Sequence, residues 1–169
     1  GSVVGTYWFL MMIGRLCGAS IGAKVSSRAM LTVVSTVGIA LVLGAIFCAD
    51  NILVNMPVFK SDISFGFAQV PVNVMLLILC GLCTSVMWGG IFNLAVEGLG
   101  KYTAAASGLF MVMVCGGGIL PLIQGGVADF AGFLNSYWVI ALGLAYILFY
   151  AAIGSKNVNT DIPTDDYEA

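Results

Sequence analysis

The chain has 169 residues, of which 60% are hydrophobic and only 8% are charged, and its formal net charge is −2. Because a soluble domain has roughly 25% charged residues, this composition excludes an ordinary soluble domain. The mean hydropathy of +1.06 is that of a membrane protein. A slightly acidic chain with so few basic residues also gives no reason to expect a nucleic-acid partner.

Five apolar runs are long enough to cross a lipid bilayer as helices, which takes about 20 residues each. They lie at residues 3–22, 30–49, 72–96, 103–127 and 134–154. The runs are continuous and do not alternate every second residue, which favours helices over the strands of a β-barrel. The sequence therefore predicts an all-α fold, a polytopic transmembrane bundle over residues 1–154, with a polar cytoplasmic tail at 155–169.

Basic residues lie almost entirely between the runs and predict the orientation of the bundle. With the second connection outside, five of the six lie at or near the cytoplasmic side: Arg15, Lys24, Arg28, Lys101 and Lys156. Only Lys60 is then outside. We therefore expect a multi-pass inner-membrane protein with a cytoplasmic C terminus, and because five spans would begin outside, we expect at least one further span upstream.

Motifs for catalysis and metal binding are missing from the sequence. It has no histidine, no G-x-S-x-G elbow and no phosphate-cradling loop ending in Gly-Lys-Ser/Thr. Cys80 and Cys83 have C-x-x-C spacing, but no second cysteine pair or histidine accompanies them, so the thiols are expected to behave as small hydrophobes. We predict that the protein is not an enzyme and has no metal site and no cofactor.

Polar residues within a membrane span cost free energy unless they find partners or water, so they indicate function. In the third run, Trp88 lies near the middle of the span, with Thr84 one turn before it and Asn93 nearer the end. A mid-membrane tryptophan can pack on the apolar C–H face of a sugar while hydroxyls and amides bond its rim. Ordinary packing between helices is the alternative for Trp88 and Asn93.

The fourth run contains the helix-breaking stretch VCGGGILPLIQGG, residues 114–126. Pro121 removes one helical hydrogen bond and frees a carbonyl near Gly117, while three consecutive glycines allow a kink. Irregular backbone at membrane depth is tolerated where it is buried in protein or lines a wet cavity, as in transporters. Gln124, one turn beyond, can bond a substrate hydroxyl or the freed backbone. The glycines can alternatively serve close packing alone.

The first run combines small residues with a cation. Gly14, Gly18 and Gly22 are spaced four apart and predict close approach of another helix. Arg15 either anchors the helix by extending to the headgroups or pairs with Glu97 at the end of the third run, which would close the inner side. Tyr7 and Trp8 are further candidates for a substrate pocket.

Two segments, IGRLCG in the first run and residues 91–132, carry a resemblance to a known family. Its pattern of a Leu-Gly-x-x-Thr-x-x-x-Ser turn, a glycine-rich helix with proline and an Asp-x-x-Gly end is met by Leu99, Gly100, Thr103, Ser107, Gly116 to Gly118, Pro121, Asp129 and Gly132. The chain thus resembles the fucose/galactose/glucose:H⁺ symporter branch of the major facilitator superfamily. The resemblance implies that the five runs are helices 8–12 of a twelve-helix fold.

The resemblance also implies that a sugar binds between two six-helix halves, that each side is exposed in turn, and that proton entry drives transport. The proton-carrying carboxylates of this branch lie in the N-terminal half. The leading hypothesis is therefore proton-coupled uptake of a hexose or deoxyhexose of the fucose, glucose or galactose type. Its partners are the sugar, protons, the lipid bilayer and the N-terminal half of the same transporter.

In this hypothesis six side chains bind the sugar, namely Trp88, Asn93, Gln124, Thr84, Tyr7 and Trp8, and four residues serve gating or structure, namely Arg15, Glu97, Gly117 and Pro121. A major facilitator carrier of another small solute is one alternative. A membrane scaffold or receptor that transports nothing is another.

Overall fold

The computed structural model describes residues 1–48, 51–60 and 62–156. In chain order the elements are α1 (Ser2–Gly22), α2 (Ser27–Phe47), β1 (Leu53–Phe59), β2 (Phe65–Pro71), α3 (Val72–Val96), α4 (Thr103–Met113), α5 (Gly116–Ala131) and α6 (Tyr137–Phe149). A 3₁₀ turn (Gly100–Tyr102) precedes α4, and a π-helical turn (Tyr150–Gly154) extends α6.

The predicted helical bundle is confirmed. Five helical segments of the described chain are long and apolar enough to cross a membrane: α1, α2, α3, the pair α4 and α5 taken together, and α6 with its π-helical turn. Their ends differ from the predicted runs by a few residues. The last residue of the second predicted run, and residues 157–169 of the predicted tail, lie outside the described part of the chain.

The apolar core lies between α2, α3 and α6. Its fully or almost fully buried members are Leu31 and Val42 of α2, Cys80, Cys83, Met87 and Leu94 of α3, and Ala141 and Leu144 of α6. By contrast, α4 and α5 bury no residue in the described chain. The fourth span therefore lies at the margin of this bundle, and α3 is its centre.

Close packing of α1 on α3 is confirmed at two of the three predicted glycines. A Cβ atom on Gly14 would lie 2.9 Å from the Cβ of Ser85 and 3.0 Å from the carbonyl oxygen of Leu82. A Cβ atom on Gly18 would overlap the side chain of Val86. These glycines let the two backbones approach.

Two hydrogen bonds bring the ends of three helices to the same side of the bundle. Arg28 Nη2 donates to the carbonyl oxygen of Ser155 at 3.0 Å, joining the start of α2 to the end of α6. Asn93 Nδ2 donates to Ser27 Oγ at 3.5 Å, joining α2 to the end of α3. The connections that carry most basic residues thus lie at one end. Which side of the membrane this end faces stays a prediction.

An antiparallel hairpin of β1 and β2 occupies the opposite end. The sequence predicted only a connection between the second and third spans there. Leu53 pairs with Pro71 and Phe59 with Phe65. Met56, Val58 and Val70 are buried against residues of α1 and α3. The missed signal is the period-2 alternation of residues 54, 56 and 58, which is typical of a half-buried strand.

One buried hydrogen bond ties this hairpin to α1. Thr6 Oγ1 accepts the N–H of Phe59 at 2.9 Å and donates to Ser2 O at 2.8 Å, and Thr6 is 6% exposed. Replacing Thr6 with valine keeps the shape but leaves the Phe59 N–H without a partner, so we expect a destabilisation of about 1–3 kcal/mol. Thermal unfolding of the full-length protein measures the loss, and amide hydrogen exchange at Phe59 locates it.

The matched control for this substitution is Thr36→Val. Thr36 is exposed, and its hydroxyl bonds only the Thr32 carbonyl of its own helix, at 2.8 Å. The control variant is expected to unfold near the temperature of the unmodified protein. Equal stability of the two variants would contradict the role given to Thr6.

Candidate functional site

A cavity of about 500 Å³ opens beside α3 towards the hairpin end of the bundle, and we call it the upper cavity. Its polar side chains include Tyr7 of α1, Thr84 of α3 and Gln124 of α5. Apolar and aromatic side chains, including Phe133 and Tyr137, form most of the remaining wall. This size and this mixture are those of small-molecule sites in proteins.

The hydroxyls in the upper cavity are oriented by one another. Thr84 Oγ1 donates to the carbonyl oxygen of Gly81 at 3.2 Å and lies 3.2 Å from the Tyr7 hydroxyl. Because the single Thr84 proton is used on Gly81, Tyr7 donates to Thr84, and its own oxygen keeps its acceptor capacity. The Gln124 amide forms no hydrogen bond with any residue that the structure describes. An amide and a phenol are therefore available to a ligand with hydroxyl groups.

A second polar space, the lower cavity, lies between α1 and α3 towards the opposite end. It consists of two adjoining hollows of about 430 and 340 Å³ that share Arg15, Ser85 and Gly89. Trp88 lines the first hollow and Asn93 the second. The space is open beside Gly89, because a Cβ atom on this residue would meet nothing within 4 Å.

The Trp88 indole is held by a neighbouring ring and stays half-exposed. It forms a T-shaped contact with Phe110 of α4 with 5.3 Å between centroids, and Phe110 forms a second such contact with Phe92. Trp88 remains 47% exposed. A fixed ring with accessible surface is suited to packing on an apolar ligand surface.

The structure divides the six predicted binding residues between these cavities. Tyr7, Thr84 and Gln124 meet in the upper cavity, whereas Trp88 and Asn93 lie in the lower cavity. Trp8 lines neither, since it is 60% exposed and packs edge-on against Tyr7. The expectation of one pocket containing Trp88, Asn93 and Gln124 together is thus corrected to two cavities along α3.

The predicted pairing of Arg15 with Glu97 is not formed. Arg15 lies in the lower cavity, while Glu97 follows α3 beside Arg28 in an adjoining surface depression. Within the described chain the Arg15 guanidinium has no ion pair. This structure therefore shows no contact between Arg15 and Glu97.

The fourth span is interrupted close to the predicted position. Helix α4 ends at Met113 and α5 begins at Gly116, and at the break Gly117 N donates to Val114 O at 2.8 Å, a 3₁₀ spacing. A Cβ atom on any of the glycines 116–118 would meet nothing within 4 Å. In the described chain these glycines therefore lie at the start of α5, directly after the break, and they pack closely against no other segment. Pro121 lies inside α5.

Sequence reasoning missed two aromatic residues of the upper cavity, Phe133 and Tyr137, which pack edge-on against each other at 5.5 Å. Both lie where the fourth span turns into the fifth. No local pattern distinguishes them from ordinary interfacial aromatics, so only the packing of α5 and α6 beside α3 identifies them.

Comparison with known proteins finds sugar carriers. Over 77 residues, 46% of this chain, it is 44% identical to the glucose/galactose transporter of Brucella abortus, of which this segment is 19%. Over 155 residues, 89% of the chain, it is 31% identical to a Helicobacter pylori protein whose name as a glucose/galactose transporter is provisional. Over 92 residues it is 33% identical to the L-fucose-proton symporter of Escherichia coli.

These matches are partial. They span 19%, 33% and 21% of the three relatives, so the chain spans about a third or less of their length. No protein-family model matches the chain, and no solved structure does.

Proposed function

We propose that the whole protein is a proton-coupled symporter of a hexose or deoxyhexose in the major facilitator superfamily, because the chain is similar to glucose/galactose transporters and to an L-fucose-proton symporter. It works by alternating access in the inner membrane, with its C terminus in the cytoplasm. The relatives' substrates support this proposal, and the two polar cavities along α3 agree with it.

The sugar binds along α3 and uses both cavities. The Gln124 amide and the Tyr7 hydroxyl bond sugar hydroxyls in the upper cavity, and the exposed part of the Trp88 ring packs on the C–H side of the sugar ring. Thr84 and Trp88 are one turn apart, about 6 Å along the helix axis. One pyranose with its hydroxyls can bridge this spacing, and Asn93 then lies nearer the exit of the path.

A further part of the protein completes the site. The span made of α4 and α5 buries nothing in the described chain, and Trp8 is largely exposed. The described spans carry carboxylates only near their ends, at Glu97 and Asp129. We therefore assign the N-terminal half the roles of covering these faces and supplying the carboxylates that carry protons.

Uptake by the full-length protein in proteoliposomes tests this function. Labelled glucose, galactose and fucose are each supplied with an inwardly directed proton gradient. We expect accumulation of at least one sugar, and its loss when a protonophore collapses the gradient. Absence of proton-driven flux for every hexose and deoxyhexose would overturn the proposal.

The same assay tests the role of Gln124. Gln124→Ala is expected to raise the half-saturating sugar concentration by about two- to tenfold, because a net hydrogen bond contributes about 0.5–1.5 kcal/mol. Gln69→Ala, an exposed glutamine on β2, is the matched control and is expected to change nothing. An unchanged affinity in Gln124→Ala would remove this residue from the site.

A further inference from the structure

The hairpin has an outward face that is exposed in the described chain over most of its area, with Phe9 of α1 in contact at its tip end. Directly opposed residues share a face of a sheet, so this face comprises Leu53, Asn55, Pro57, Phe59, Phe65, Phe67, Gln69 and Pro71. Both strands are described throughout, and none of these side chains is charged. Phe65 is 68% exposed and Phe67 is 79% exposed. The outward face of a hairpin in water is normally polar.

The hairpin lies beside a membrane-spanning helix and not beyond its end. Phe59 bonds Thr6, and the inward residues of the strands contact Val3, Tyr7 and Leu10 of α1. These α1 positions cover only about 10 Å of helix rise. Because α1 has 21 residues, close to the length that crosses the hydrocarbon, the hairpin lies at the depth of the membrane boundary.

An apolar surface continues from the hairpin onto the span itself. Phe59 stacks on Phe9 of α1 with 5.0 Å between centroids, and Phe65 packs edge-on against it at 5.5 Å. Phe9, Met12 and Leu16 follow helical spacing along one face of α1, and the latter two are 53% and 66% exposed. Neither lines the upper or the lower cavity. This face is directed away from the transport path.

Backbone hydrogen bonding limits how deep the hairpin can lie. A two-stranded sheet has free edges, and unpaired N–H and C=O groups are not tolerated against lipid tails. At the headgroup level water satisfies such groups, and aromatic side chains concentrate at that level. The tip residues Lys60 and Asp62 are exposed and can reach the headgroups.

From these observations we propose that the outward face of the hairpin, centred on Phe65 and Phe67, lies in the headgroup region of the bilayer and binds phospholipid. The hairpin is then a shallow anchor that holds the connection between α2 and α3, and with it the start of α1, at a set depth. This function is independent of which solute the protein carries.

Photo-crosslinking tests the anchor in the full-length protein in phospholipid vesicles. A benzophenone amino acid replaces Phe67, whose exposure allows the substitution without disturbing the fold, and in a matched control it replaces Ala68, on the inward face. We expect lipid adducts by mass spectrometry at position 67, and crosslinks within the chain at position 68.

Three outcomes would overturn the proposal. A crosslinked dimer at position 67 would assign the face to a second copy of the chain. Crosslinks from position 67 to other parts of the same protein would assign it to an internal contact. Lipid adducts of equal yield at positions 67 and 68 would mean that the hairpin does not rest on α1.

Discussion

Trp88→Ala is expected to raise the sugar concentration for half-maximal transport by roughly 30-fold, the equivalent of about 2 kcal/mol for a central aromatic anchor. The Trp88 ring is held by Phe110, lines the lower cavity and is 47% exposed. Among the described residues, Trp88 is the one aromatic side chain that lines this hollow, and alanine removes it. Initial rates of labelled sugar uptake into proteoliposomes, measured over a range of concentrations, give the affinity.

Trp138→Ala is the control for this prediction. Trp138 is 43% exposed, similar to Trp88, and packs edge-on against Phe47 at 6.0 Å on the side of α2 and α6, outside both cavities. Its removal is expected to leave the half-saturating concentration unchanged. A similar loss of affinity in both variants would indicate a general effect on folding and would contradict the assignment of Trp88 to the sugar.

Gly14→Ala is expected to destabilise the protein by about 1–3 kcal/mol, the usual cost of overpacking. The added methyl group would press on the Ser85 side chain and on the Leu82 carbonyl oxygen of α3. Because a backbone oxygen cannot rotate away, the two helices must separate. The midpoint of thermal unfolding of the full-length protein in detergent measures the effect.

Gly143→Ala supplies the comparison, because Gly143 is also within a helix but a Cβ atom there would meet nothing within 4 Å. Alanine is a better helix former than glycine by roughly 0.5–1 kcal/mol, so this variant is expected to be as stable as the unmodified protein or slightly more stable. Destabilisation of both variants to the same extent would refute the packing role of Gly14.

The role of the candidate residues in binding stays a prediction, and the sequence did not predict how they are grouped in space. The position of Trp88, Thr84 and Gln124 within the spans identified them as candidates, because polar atoms in lipid cost free energy unless they find partners or water. Spacing along one helix could not show that Gln124 lies with Tyr7 while Trp88 lies with Arg15, because these pairs join different helices. The Arg15 to Glu97 pairing failed for the same reason.

The sequence by itself determined the class of the protein and its helices. Bilayer thickness requires about 20 apolar residues for each span. Because this requirement concerns consecutive residues, hydropathy alone located five helices. The glycine-rich stretch likewise located the break before α5. Its motifs also indicated a resemblance to sugar symporters, and the relatives found by comparison are named as sugar transporters.

Tertiary structure alone decided what depends on contacts between distant segments. It placed α3 at the centre, divided the polar residues between two cavities, and folded residues 53–71 into a hairpin whose inward side rests on α1 and α3. Packing between distant segments decides which structure an ambiguous stretch of sequence adopts. One example is the seven-residue stretch containing Pro57, which forms β1. The physical reason is that burial is a property of the assembled bundle, whereas hydropathy is a property of the segment.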